Sequence, residues 1–173
     1  MRHPLVVLCC VALLVLAGCT APATDDPPTS DVRLSLDNAD SQRYEVTVAV
    51  APTTVDTLRI IGVDGETRTY RDVDSLDVVP SAVLGNATGF TASGPDVTTK
   101  RYVLEPGTGI GDELADTPQN TTVVYLVTQP DGADPTRSWG AATCGQSEFA
   151  EIAIRIADGG ALSTATHCGS LAN

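Results

Sequence analysis

The chain has 173 residues, 42% of them hydrophobic and only 4% aromatic, and carries a formal charge of -12 at pH 7. That charge excludes nucleic acid and anionic membrane surfaces as favourable partners, because their phosphates would repel it. The length suits one ordinary hydrophobic core and is too short for the two lobes of a usual solute-binding protein, which needs about two domains.

In chain order, the first element is an export signal. Arg2 and His3 precede a run from Leu5 to Ala17 without a charge. As a helix that run would be about 20 Å long, too short for the roughly 30 Å hydrocarbon core and of the size of a signal-peptide h-region. Leu16-Ala17-Gly18-Cys19 resembles the lipobox of secreted lipoproteins, in which the cysteine is lipidated and becomes the mature N-terminus. The resemblance implies a signal peptide over 1–18, a lipid on Cys19 and residence on the extracellular face of the cell membrane, held through that lipid. The residues themselves also allow an uncleaved signal anchor, or plain secretory cleavage at an alanine ahead of Asp25. No twin-arginine pair precedes the apolar run, which favours the general secretory route.

Cysteine arithmetic agrees with lipidation. Of five cysteines, Cys9 and Cys10 lie in the removed segment, leaving Cys19, Cys144 and Cys168. In an oxidising compartment an odd cysteine needs an explanation, and acylation of Cys19 supplies one. Cys144 and Cys168 are then expected to pair, closing a loop of about 25 residues with Cα atoms about 5.5 to 6 Å apart.

Residues 19–30 are the lipidated cysteine and a Thr/Pro/Asp tether, TAPATDDPPTS after Cys19, with no apolar periodicity. One domain, 31–173, follows. Val32, Leu34 and Leu36 alternate with polar residues, as do Tyr44, Val46, Val48 and Val50, and both stretches read as half-buried strands. Leu58 to Val63 runs into Asp64-Gly65 and then Glu66 to Tyr70, the pattern of a hairpin with a two-residue turn. Val123 to Thr128 is apolar on both faces and belongs at the centre of a sheet. Phe149 to Ile156 forms another strand, turned back by Asp158-Gly159-Gly160 into Leu162 to Cys168. Two segments, Val79 to Asp96 and Glu105 to Asn120, read as long connections broken by glycine and proline, with one short helical turn at Pro80 to Leu84. The sum is an all-β chain of about eight or nine short strands, an antiparallel sandwich of Ig-like type.

Lys100 is the single lysine, and arginine supplies the other basic side chains. An acidic, lysine-poor surface is similar to that of proteins from extreme halophiles, where concentrated salt screens self-repulsion; high-GC bacterial lipoproteins share the arginine bias. With the lipobox, the tether, the acidic β-rich body and the pair Cys144 and Cys168, the whole chain resembles the small Ig-like lipoproteins of haloarchaeal cell surfaces. That resemblance implies location and fold more than chemistry.

The chemical constellations mostly fail on residue count. A blue-copper site needs two histidines and usually a methionine, but the only methionine is Met1 and the only mature histidine is His167. Cys144, His167 and Cys168 would make a zinc set only if adjacent His167 and Cys168 pointed the same way, which a strand forbids. No Gly-x-Ser-x-Gly elbow is present, and Gly107-Thr108-Gly109-Ile110-Gly111 follows Pro106 as a flexible loop rather than opening a nucleotide-binding helix. Asp72, Asp74 and Asp77, and the turn Asp131 to Asp134, lack EF-hand spacing and read as solvated charge. No cofactor or metal is expected.

Trp139 reads first as an indole covering the disulfide, and second, with Arg137, as an aromatic contact for a sugar or a partner. Asn86-Ala87-Thr88 and Asn120-Thr121-Thr122 are sequons, making Asn86 and Asn120 candidates for N-glycosylation. The expected function is a non-catalytic surface domain with an envelope structural or interaction role, whose partner is an envelope protein or glycan. A ligand-binding accessory of a transporter or sensor is the alternative, and an enzyme of unrecognised type a remote one.

Overall fold

A computed structural model of the chain describes residues 29–52, 55–73, 76–130, 137–145 and 147–169. Eleven strands form among them: β1 (Thr29–Asn38), β2 (Tyr44–Pro52), β3 (Val55–Gly62), β4 (Thr67–Val73), β5 (Ala87–Ser93), β6 (Thr98–Leu104), β7 (Gly109–Pro118), β8 (Thr121–Thr128), β9 (Arg137–Thr143), β10 (Phe149–Ile156) and β11 (Leu162–Cys168), with one short helix, α1 (Ser81–Gly85). They make three sheets, in the orders β11-β10-β1-β7, β6-β2-β8-β9 and β4-β3-β5. The first two face each other as an Ig-like sandwich.

Period-two patterning builds the main core. Val32, Leu34 and Leu36 of β1 and Ile152, Ile154 and Ile156 of β10 point inward against Tyr44, Val46, Val48 and Val50 of β2 and Val123, Tyr125 and Val127 of β8. The third sheet is a further layer beyond the expected two-sheet sandwich. It lies on the other face of the middle sheet, where Ala49, Ala51, Val124 and Leu126 meet Leu58, Ile60, Val73 and Phe90. This explains β8: it is apolar on both faces because each face meets a different core. Alanines at 49 and 51 serve the second core with side chains small enough for close sheet approach.

Several sequence expectations need correction. The strand count is eleven rather than eight or nine, because both presumed connections contain a strand, β5 in one and β7 in the other. On β7 only Leu114 and Thr117 are buried, so an edge strand with a polar, glycine-rich sequence shows little alternation. Gly109 and Gly111 lie within it and not in a flexible loop; a Cβ at Gly109 would come within 3.3 Å of the Leu36 carbonyl oxygen. The sandwich is antiparallel apart from one pair, since β1 runs parallel to β10 with Leu34 opposite Ile152. These strands are far apart in sequence, so no hairpin dictates their direction. The β3–β4 turn is also longer than two residues: Gly62 N–H donates to the Glu66 carbonyl at 2.9 Å, and Gly65 takes a φ of 75°.

Both lateral edges of the sandwich are fastened. On one side Tyr125 lies across the backbone of Gly140 in β9 and its hydroxyl meets Thr164 Oγ1 of β11 at 2.7 Å. Any Cβ at 140 would collide with that ring, so glycine is required for the Tyr125 contact. On the other side Lys100 of β6 reaches Asp112 of β7 at 2.9 Å.

Candidate functional site

The register places three connections at one end of the sandwich. Asn38 lies opposite Ile156, Asp37 opposite Gly109, and Tyr44 opposite Leu104, so the β1–β2, β6–β7 and β10–β11 loops converge there. At the opposite end Thr29, where the described chain begins, pairs with Pro118. Asn38, fully buried, ties the β1–β2 loop to the β6–β7 loop. Its Nδ2 donates to the carbonyls of Gln42 (2.8 Å), Leu104 (3.2 Å) and Glu105 (3.1 Å), and its Oδ1 accepts from Asp40 N–H (3.0 Å). The Asn38 amide donates to Thr108, and the Ala39 amide to Ile156.

Asp40 extends the network. Its carboxylate accepts from Ser41 N–H at 2.6 Å and from the Tyr44 hydroxyl at 2.7 Å. The Tyr44 bond, opposed by burial and helped by Ser41 and the Gly160 amide, holds Asp40 below the usual carboxylate range. Burial, followed by the Asp40 charge, pushes Tyr44 up to about 12. Tyr44 is therefore a neutral donor at ordinary pH and keeps the loops in one arrangement. Acid and phenol are satisfied by each other at this end of the sandwich.

A second feature lies along the β6–β7 edge. Asp112 accepts from the Tyr102 hydroxyl at 2.6 Å and from Lys100 at 2.9 Å, while Lys100 also donates to the Glu113 carbonyl at 3.0 Å. The Tyr102 bond first, and then Lys100, lower the Asp112 carboxyl to about 2; burial and Asp112 raise Tyr102. Beside them opens a cleft of about 260 Å³ lined by Lys100, Asp96, Glu113 and Asp116 among others.

Because the folded state holds Asp112 below its ordinary value of 3.8, its contribution is fully present above that pH and is lost as pH falls toward about 2. Discounted for solvent screening, this amounts to about 1 kcal/mol. Urea titrations at pH 5 and near pH 2.5 should show Asp112→Asn losing less stability between the two than the parent. Equal losses would remove the seam from the acid response.

The other predicted residues are placed as follows. Cys144 and Cys168 are bonded, with S–S 2.05 Å and Cα atoms 5.4 Å apart. His167 is exposed on β11, opposite Glu151. Trp139 does not cover the disulfide: it packs into the second core against Phe90, ring centroids 5.0 Å apart and tilted by 44°, whereas Cys144 packs on the first core. Alternation along β9 separates them. The backbone of Arg137 begins β9, but its side chain lies outside the described residues, as do Cys19, the tether up to Pro28, Asp74 and the Asp131 to Asp134 turn.

Asn86 caps α1, its Nδ2 donating to the Ala82 carbonyl at 2.9 Å. Asn120 is exposed in the β7–β8 turn with φ 62°. Among the described residues no three His, Cys, Asp or Glu side chains converge as a metal set. The Asn38 network was invisible in the sequence, because asparagine and aspartate between two strands are equally the marks of an exposed turn.

A family model described as halobacterial Ig domain protein matches residues 1–172. No curated protein matches the sequence. Among solved structures, the T6SS lipoprotein TssJ1 from Pseudomonas aeruginosa is similar at 11% identity and TM-score 0.39, over 81% of this chain and 98% of that one. The human-specific toxin intermedilysin is similar at 9% identity and TM-score 0.33, over 82% of this chain and 24% of that one.

Proposed function

Because the chain belongs to the halobacterial Ig domain proteins, we propose that it is a non-catalytic cell-surface domain that presents its three-loop end to another component of the envelope. The supporting observation is the Asn38 and Asp40 network at the end opposite the point where the chain enters β1: Asn38 holds the β1–β2 loop to the β6–β7 loop, and Asp40 accepts from the Gly160 amide of the β10–β11 loop. In this reading residues 1–18 are a signal peptide, Cys19 carries lipid, and 19–30 is the tether that lifts the domain 31–173 from the membrane. The disulfide suits an oxidising exterior, and no described helix is long and apolar enough to cross a membrane. Of the two sequons, Asn120 is the better acceptor, since the Asn86 amide is already committed to Ala82.

The cleft beside Lys100 favours a second reading, a ligand-binding accessory. At about 260 Å³ it sits below the usual small-molecule range of roughly 300–1,000 Å³.

The anchoring is tested by Cys19→Ser. The parent should partition with membranes, and the variant should appear in the medium or accumulate as uncleaved precursor. One acyl chain retains a protein only marginally, so stable retention calls for two chains or a diether lipid. An intact mass beginning at unmodified Thr20 or later would refute lipidation.

A further inference from the structure

The outer face of the third sheet carries arginine and hydroxyl side chains in three of its rows, bordered by exposed Asp56 and Asp72 on the same strands. By register its positions form three rows across β4, β3 and β5: Arg71, Thr57 and Ser93; Thr69, Arg59 and Thr91; Thr67, Ile61 and Gly89. In a chain with 22 acidic and 10 basic side chains, these nine positions hold two arginines and no carboxylate. Arg59 and Arg71 are exposed and have no carboxylate within 4.0 Å among the described residues, whereas Arg43, Arg68, Lys100, Arg101 and Arg155 are all in ion pairs.

Arg59 and Arg71 are diagonal neighbours, about 7–8 Å apart at Cα by sheet geometry. Their guanidiniums can each take a carboxylate in a bidentate fork, and the surrounding hydroxyls both donate and accept.

We propose that this face binds an acidic polysaccharide, with Arg59 and Arg71 gripping carboxylates and the threonine rows hydrogen-bonding sugar hydroxyls. The proposal rests on the surface location argued above and supplies the chemistry of one partner. A protein partner is less well matched: protein interfaces have apolar, aromatic-rich centres, and this face offers Ile61 as its one large apolar side chain and no aromatic. Symmetric pairing of two copies through it would set arginine against arginine. Where salt is concentrated and the screening length falls to about 3 Å, steering at a distance disappears and only direct forked contacts with neighbouring hydroxyl bonds persist.

The test measures binding of the full chain to polygalacturonate, neutral dextran and poly-L-glutamate at about 1 M NaCl, the salt at which only contact pairs survive. The parent should bind polygalacturonate at least tenfold more tightly than either other polymer. Arg59→Ala/Arg71→Ala should weaken that binding at least tenfold, and Arg33→Ala, at an exposed arginine of β1 with no carboxylate within 4.0 Å among the described residues, should leave it unchanged. Absent binding by the parent, equal affinity of the double variant, or loss through Arg33→Ala would overturn the proposal. Equal binding of poly-L-glutamate would replace the polysaccharide with an acidic protein. Failure of surface location reads out differently, as a Cys19→Ser variant that fractionates like the parent.

Discussion

Replacing Asn38 with alanine should lower the stability of the domain by about 3 kcal/mol. The side chain is fully buried and serves four backbone groups: the carbonyls of Gln42, Leu104 and Glu105 and the amide of Asp40. Each buried polar group left without a partner costs about 1–3 kcal/mol, and those near the loop surface recover part of that from water. Asn38→Asp should be worse, because it retains the acceptor toward Asp40 but turns a carboxylate oxygen on three carbonyls. Urea denaturation in concentrated salt measures both. A loss under about 1 kcal/mol for the alanine variant would show that water replaces the network and that the loops are not held by it.

The second large effect is expected at the disulfide. β11 has almost no buried side chain, Leu162 being its only partly buried one, so its place depends on the ladder to β10, the Tyr125 contact and the bond from Cys168 to Cys144. In the chain-entropy account, opening a loop of sequence separation 24 costs about 3 kcal/mol. Cys144→Ser/Cys168→Ser should show this loss in denaturation, together with fast amide exchange confined to β11 and the adjoining β9–β10 segment. Titration of the parent without reductant should find no free thiol at 144 or 168. Two titratable thiols with bound zinc would instead revive His167 as a ligand.

Legibility from sequence followed local patterning closely. Strands with one apolar face, such as β1 and β10, declared themselves by alternation, and β8 declared its central place by being apolar throughout. The same signal implied a second layer, since a strand apolar on both faces needs a partner on each, but Ala49 and Ala51 are too small to mark the second face of β2. Edge strands β5 and β7 escaped because few of their side chains are buried. The parallel pairing of β1 with β10 is decided by tertiary assembly and leaves no trace in either segment.

The candidate sites divide in the same way. Cys144 and Cys168 were legible through cysteine number, which counts chemistry without needing geometry. Trp139 was read toward the cysteine nearest in sequence, whereas alternation turns it to the opposite face. Arg59 lies in the hairpin that the sequence marks and Arg71 one residue past its end; only the register across three strands gathers them into one face.

The position of β1 has a mechanical consequence. It lies between β10 and β7, and the chain enters it at Thr29, so a pull directed outward from that end runs along the strand and loads both flanking ladders in shear. The bonds of a ladder lie across the strand direction, and under such a load they share the force simultaneously instead of opening one after another. A domain held by its N-terminus and dragged by whatever grips its far side would therefore resist through two rows of hydrogen bonds at once. Peeling would begin elsewhere, at β11, where the Cys144–Cys168 bond closes the loop and limits how much chain can be drawn out.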